Sequence, residues 1–239
     1  ERVVKRLGVG VHLALVHDAL LVLVEVLDGV FDRDDMDLAG VVDEIDNGGL
    51  RGGLQGIMPA ITPLGIRVVS TNLLVPEEDS AVIWRGPLIS GTIQQFYNEV
   101  LWGKLDVLLV DLPPGTADAA ITVMKNLPLS GVVVVTSPQQ LAGMVVRKAV
   151  HMLQGMEIPI LGLVENYSYY RCPDTNAVHE VFGPSHANDL AALTGIELTA
   201  RIPIDPQFAA LCDTGRIEQA RVEALEPLAA LLVETVRQN

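Results

Sequence analysis

Apolar positions along this chain alternate between two rhythms. Short β-branched and leucine runs at 66–72, 107–110, 131–136, 160–164 and 200–202 read as strands buried on both faces, the pattern of a parallel sheet. Between and after them, apolar residues recur three and four apart, predicting helices over 89–101, 119–127, 139–154 and 186–194, then a C-terminal pair at 206–214 and 222–237. In the 139–154 segment, Leu141, Val145, Lys148, Ala149 and Met152 form one stripe expected to pack on the sheet, leaving Arg147 in water. Strand and helix in alternation predict an α/β fold: a doubly wound, mostly parallel sheet with helices on both faces. No internal repeat is visible.

The carboxyl ends of the predicted strands collect the polar exceptions. Open α/β sheets bind ligands along that edge. Asp111 follows the 107–110 run and leads at once into Leu112, Pro113, Pro114, Gly115, Thr116 and Asp118. A carboxylate there is a hard oxygen ligand suited to Mg²⁺ on a nucleoside triphosphate, the arrangement of a Walker-B strand with its switch loop. A simple helix cap explains an isolated aspartate equally well, but two prolines and a glycine are more than a cap needs. After 131–136 come Ser137, Pro138 and Gln139; after 160–164 come Glu165, Asn166 and Tyr167; after Ile202 come Pro203, Ile204 and Asp205. Asn166 either satisfies its own turn or presents a carboxamide to the edge of a base.

Composition narrows the field. The chain has 239 residues and is 49% apolar, with no run approaching the ~20 residues of a membrane helix and no cleavable signal pattern, so a cytoplasmic protein without membrane contact is expected. A net charge of −14 repels nucleic acid phosphates. Two cysteines, Cys172 and Cys212, are too few for a disulfide framework. Cys212 is expected in the core on the apolar side of a short helix; His179 and His186 are expected at the surface or as caps. Tyr167, Tyr169 and Tyr170 suit a packing or dimer surface.

The run VDLPPGTAD at 110–118 resembles the signature of the Mrp/ApbC-type iron–sulfur carrier ATPases, deviant P-loop proteins related to MinD and ParA. VIWRGP at 82–87, VVVTSPQQLA at 133–142, PILGLVENYSYYRCPDT at 159–175, FGPSHA at 182–187 and IPIDP at 202–206 look like further family blocks in the family order. The resemblance implies a P-loop NTPase-like fold of SIMIBI type that binds ATP with Mg²⁺, acts as a homodimer and delivers [4Fe–4S] clusters to apoprotein clients. It assigns Asp111 and Asp118 to catalysis. Gly115, Thr116, Asn166, Pro203 and Asp205 fall to nucleotide binding, and Cys172 to the metal cluster.

Two departures qualify that implication. The family carries Cys-Pro-x-Cys where this chain reads Cys172-Pro173-Asp174-Thr175, and a hydroxyl is a poor ligand for cluster iron. The phosphate loop, approximately Lys-Gly-Gly-Val-Gly-Lys-Ser-Thr, is absent. Its nearest remnant is Arg6-Leu7-Gly8-Val9-Gly10-Val11-His12, with Asp32 to Asp37 at the distance of the family's second acidic strand end. Residues 1–54 contain no Ser, Thr or Pro, a composition that fits a shifted reading frame or a decayed segment. The chain therefore divides into an atypical segment 1–56 and a single domain 57–239.

Phosphoryl transfer is stabilised almost wholly by electrostatics, so poor or absent ATP hydrolysis is expected without that lysine and hydroxyl. Three functions stay open: a cluster carrier with a damaged nucleotide site, a non-catalytic scaffold of the same fold, and a MinD/ParA-type positioning ATPase. Glu223, Glu226 and Glu234 against Arg221 and Arg237 deny the C-terminal stretch the cationic face that the third needs.

Overall fold

The computed structural model describes residues 20–24, 52–53, 56–70, 86–113, 116 and 118–238. They fall into two compact units, one holding 20–24 with everything from Val107 onward, the other lying within Val26–Asp106.

The larger unit is built on five strands: β1 (Leu20–Val24), β6 (Leu108–Leu112), β7 (Leu129–Thr136), β8 (Ile160–Glu165) and β11 (Leu198–Arg201), in the spatial order β11-β8-β7-β1-β6. β7, β8 and β11 run parallel, with Thr136 opposite Glu165 and Glu165 opposite Arg201. β1 is antiparallel to both neighbours, Leu20 lying level with Leu112 on β6 and Val134 on β7. The parallel sheet expected from the apolar runs is thus present, and a reversed strand that the strand pattern did not reveal lies between β7 and the edge strand β6.

Helices α2 (Asp118–Asn126), α3 (Gln140–Gly155), α4 (Ala187–Thr194), α5 (Pro206–Asp213) and α6 (Glu226–Gln238) accompany these strands. Successive strand side chains point to opposite faces, so β7 feeds two cores. On one face Val133 and Val135 join Val164, Ala200, Ile202, Leu225, Leu228, Leu232 and Val233, the side covered by α6. α3 lies against β7, and α4 against β8 and β11. Strand spacing is tight enough to dictate glycine: a Cβ on Gly162 would stand 2.1 Å from Thr199 Oγ1, and one on Gly131 2.6 Å from Leu161 Cγ.

The buried stripe of α3 differs from the expected one. Val146, Ala149, Val150 and Leu153 are buried, whereas Leu141, Val145 and Lys148 are exposed and Arg147 is half-buried. Both stripes obey helical spacing, but only the observed one avoids a lysine, and its four members are wholly apolar. Leu141, at 74% exposure, extends beyond the packed turn.

In the smaller unit, β2 (Gly52–Gly53) pairs with β3 (Gly56–Ile57), and β4 (Ala60–Ile61) with β5 (Arg67–Val68), all antiparallel. The strand expected over 66–72 is reduced to those two residues of β5; 71 and 72 lie outside the described residues. The cause is a turn through Pro63, Leu64 and Gly65, closed by Gly65 N donating to Thr62 O at 2.8 Å, which folds the segment back on itself. Gly65 takes φ +80°, a value open to glycine. α1 (Gly86–Asn98) follows, and Trp102, buried, donates from Nε1 to Phe96 O at 2.9 Å.

Candidate functional site

The carboxyl ends of β6, β7, β8 and β11 share one edge of the sheet. β6 runs through Asp111 to Leu112, further than the apolar run suggested; Asp111 is exposed there and pairs in register with Leu21. Thr116 is exposed, Asp118 opens α2 and is exposed, and Gly115 lies outside the described residues. Asp205 is exposed and caps α5, its carboxylate accepting from Gln207 N at 2.8 Å, while Pro203 is half-buried.

Asn166 is buried at 5% exposure. Its N–H donates to Thr136 O at 2.8 Å, bridging β7 and β8, and its Oδ1 accepts from Tyr167 N at 2.9 Å. That second bond supports a left-handed turn, Tyr167 lying at φ 54°. Asn166 therefore does shape its own turn.

The chain then climbs into a hairpin, β9 (Tyr170–Arg171) and β10 (Val178–His179), with the cysteine motif at its tip. Cys172 N donates to Ala177 O at 2.9 Å and Asn176 N to Cys172 O at 2.8 Å, a tight knuckle that needs the left-handed Asn176 at φ 56°. The Thr175 hydroxyl, and then the backbone of Thr175 and Asp174, hold the Cys172 thiol below the ordinary thiol range. Thr175 thus acts on the sulfur as a hydrogen-bond donor. Among the described residues no group of three or more His, Cys, Asp or Glu is placed to hold a metal ion. One thiolate falls short of the four that a cubane cluster takes, so the residues of a single chain do not by themselves fit that cargo.

Beneath the hairpin lies a polar network that the sequence pattern did not signal. Glu165 is fully buried; its Oε1 accepts from Ser185 Oγ at 2.9 Å, and its other oxygen accepts from Ser168 Oγ and faces Arg201 Nε at 3.4 Å. Arg201 Nε also donates to Ser168 Oγ at 2.8 Å, and Nη2 reaches Glu180 Oε1 at 3.9 Å. Ser168 N donates to Ile202 O at 2.9 Å and Ile204 N to Tyr169 O at 2.7 Å, stitching the hairpin root to the end of β11. Of these groups only Glu165 stood out in the sequence; Ser168, Glu180, Ser185 and Arg201 did not.

The aromatic residues pack as side chains with one polar end: Tyr167 meets Phe182 edge-on with ring centroids 6.3 Å apart, and Tyr169 carries the guanidinium groups of Arg171 and Arg201, each 5.8 Å from its centroid. His179 is exposed; His186 is half-buried before α4 and makes no side-chain cap. Cys212 departs from its expected core position. It is half-buried on α5, a helix with no fully buried side chain, and partial burial followed by the neighbouring Asp213 raises its thiol.

A family model described as ParA, NUBPL iron-transfer P-loop NTPase, matches residues 35–236. The chain belongs to that family. An iron-sulfur cluster carrier protein of Methanocaldococcus jannaschii is 40% identical over 164 residues, 68% of this chain and 57% of the relative. The iron-sulfur cluster transfer protein NUBPL of Dictyostelium discoideum is 41% identical over 152 residues, 64% of this chain and 47% of the relative. A nucleotide-binding protein of Archaeoglobus fulgidus, solved in complex with ADP, superposes with a TM-score of 0.60 at 39% identity, covering 72% of this chain and 66% of its own. The chain thus spans about half the length of the curated relatives it matches. The iron-transfer NTPase fold, with its parallel strands and flanking helices, is the α/β architecture expected from the alternating pattern. Among the described residues no helix is long and apolar enough to cross a membrane.

Proposed function

We propose that this chain is an iron–sulfur cluster carrier of the NUBPL/Mrp kind whose nucleotide site is weakened. The reading rests on one juxtaposition: a family member carries its Cys172 hairpin on the same strand-end edge as Asn166 and Pro203. Cys172 would hold the cargo. In a homodimer each copy contributes one such thiolate, so a [4Fe–4S] cargo needs further ligands from small thiols or from the receiving apoprotein. Asn166 and Pro203, with Asp205 beyond them, form the base end of a nucleotide site; Gly115 and Thr116 form the phosphate end. Asp111 and Asp118 are the Mg²⁺-side carboxylates, and the cytoplasm is the compartment.

Hydrolysis is the weak part. No lysine or hydroxyl of a phosphate loop is present in the sequence. The ADP complex of the archaeal relative supports nucleotide binding as such.

Anaerobic incubation of the chain with ferrous iron and sulfide tests the reading. Visible charge-transfer absorbance that disappears in Cys172→Ala supports the carrier. A colourless product in both supports the scaffold, a reading favoured by Thr175 standing where the family has its second sulfur. Phosphate release from Mg-ATP at the rate of an intact family member would refute the weakened site.

A further inference from the structure

The hairpin that carries Cys172 is held from below by a continuous line of side chains. Buried Glu165 contacts Arg201 at 3.4 Å; Arg201 lies over Tyr169; Arg171 lies over the same ring, both guanidinium carbons 5.8 Å from its centroid. Arg171 Nη1 in turn donates to Asn176 Oδ1 at 3.2 Å and reaches Asn176 O at 3.5 Å. Asn176 closes the knuckle around Cys172 with its own N–H. Arg201 also spans the two arms of the hairpin, bonding Ser168 before β9 and reaching Glu180 after β10.

Two properties make this more than packing. A guanidinium is planar and can bond a carboxylate through its N–H edge while its face meets an aromatic ring, a geometry a compact ammonium does not reproduce. Glu165 and Arg201 are also the last residues of adjacent strands, followed by Asn166 and by Ile202-Pro203, so the anchor sits on rigid backbone while the knuckle rises from a two-residue ladder. A two-stranded ladder of that length does not hold its own geometry.

We propose that Arg201 is a positioning residue for Cys172, acting through the Tyr169–Arg171 stack and anchored by the buried Glu165. This rests on the reading of Cys172 as the cargo-holding thiol, and it adds the device that fixes where that thiol stands. The side chain does not touch the cargo. It sets the knuckle from which the sulfur projects.

Amide hydrogen exchange at Cys172 and Asn176 reads the effect directly, with the buried amides of β7 as internal reference. Arg201→Ala is expected to speed exchange at both knuckle amides at least about tenfold relative to that reference. Arg201→Lys, which keeps the charge opposite Glu165 but not the guanidinium over Tyr169, is expected to leave the knuckle equally fast while restoring the melting temperature. Tyr169→Leu, which spares the buried carboxylate, is expected to do the same and serves if Arg201→Ala fails to fold. A purely structural role would raise exchange everywhere alike. Knuckle exchange within twofold of wild type in Tyr169→Leu, or full protection in Arg201→Lys, overturns the proposal. Because this readout needs no iron, a chain that takes up no cluster refutes the carrier reading separately.

Discussion

Removing Arg201 tests how the strand-end edge is held together energetically. In Arg201→Ala the Glu165 side chain, 1% exposed, loses its cation and retains two hydroxyl donors, Ser168 and Ser185. Breaking a buried pair by deleting one partner costs ~3–5 kcal/mol, because the other charge stays behind uncompensated. Arg201 itself is 37% exposed, so water reaches the space it leaves and the cost falls to the lower end, about 3 kcal/mol. For a chain of this size that lowers the melting temperature by roughly 6–12 °C. Urea unfolding gives the free energy, and a cycle with Glu165→Gln isolates the pair. The amide keeps the shape of Glu165 without its charge, so the single variant costs about 1–3 kcal/mol and the double variant falls short of the sum by at least about 1 kcal/mol. A loss below about 0.5 kcal/mol in Arg201→Ala, or additivity in the cycle, would refute the claim that this pair organises the edge.

Leu232, fully buried in the cluster under α6, should cost about 3 kcal/mol when changed to alanine, read as a lower urea midpoint with unchanged far-ultraviolet circular dichroism. The two thiols should titrate in a fixed order. Cys172 lies below and Cys212 above the ordinary thiol value of ~8.5, so as pH rises the first becomes thiolate sooner and alkylates faster at neutral pH. Thr175→Val should move the alkylation midpoint of Cys172 upward and leave Cys212 alone; site-resolved mass spectrometry that finds the reverse order would contradict the hydrogen-bonding account.

Continuous apolar runs rich in β-branched residues, too short for helices, made β6, β7, β8 and β11 legible, and the helices between them were found within a few residues. The stripe of α3 was misread for a physical reason. Periodicity fixes the angle between apolar residues but not which of two overlapping stripes faces inward, and Val146, Ala149, Val150 and Leu153 win because none carries a charge. The strand Leu20–Val24 went unseen within a stretch rich in valine, leucine and acid residues, where nothing marked its ends. At the candidate site, Cys172 and Asn166 were singled out through their motif. Ser168, Ser185 and Arg201 were not, since a serine or an arginine gains meaning only from a buried carboxylate beside it, and burial is not written in spacing.

The reversed strand bears on topology. A phosphate loop follows its strand and leads into a helix, so it must leave the sheet at the edge where the other strands end. Here β1 ends at Val24, level with Leu108 of β6 and Leu129 of β7, the starts of its neighbours. Its beginning, Leu20, lies level with Leu112 and Val134, toward the edge that carries Thr116, Asn166 and the cysteine hairpin. The remnant at residues 6–12 precedes β1, so the reversal of this strand does not decide where a phosphate loop would stand. The proposed weakening of hydrolysis rests on the phosphate-loop lysine and hydroxyl that the sequence lacks, not on the direction of β1. That lack does not touch the ends of β8 and β11, where Asn166, Pro203 and the Glu165–Arg201 anchor stand on parallel strands. The proposed carrier function draws on that side of the sheet.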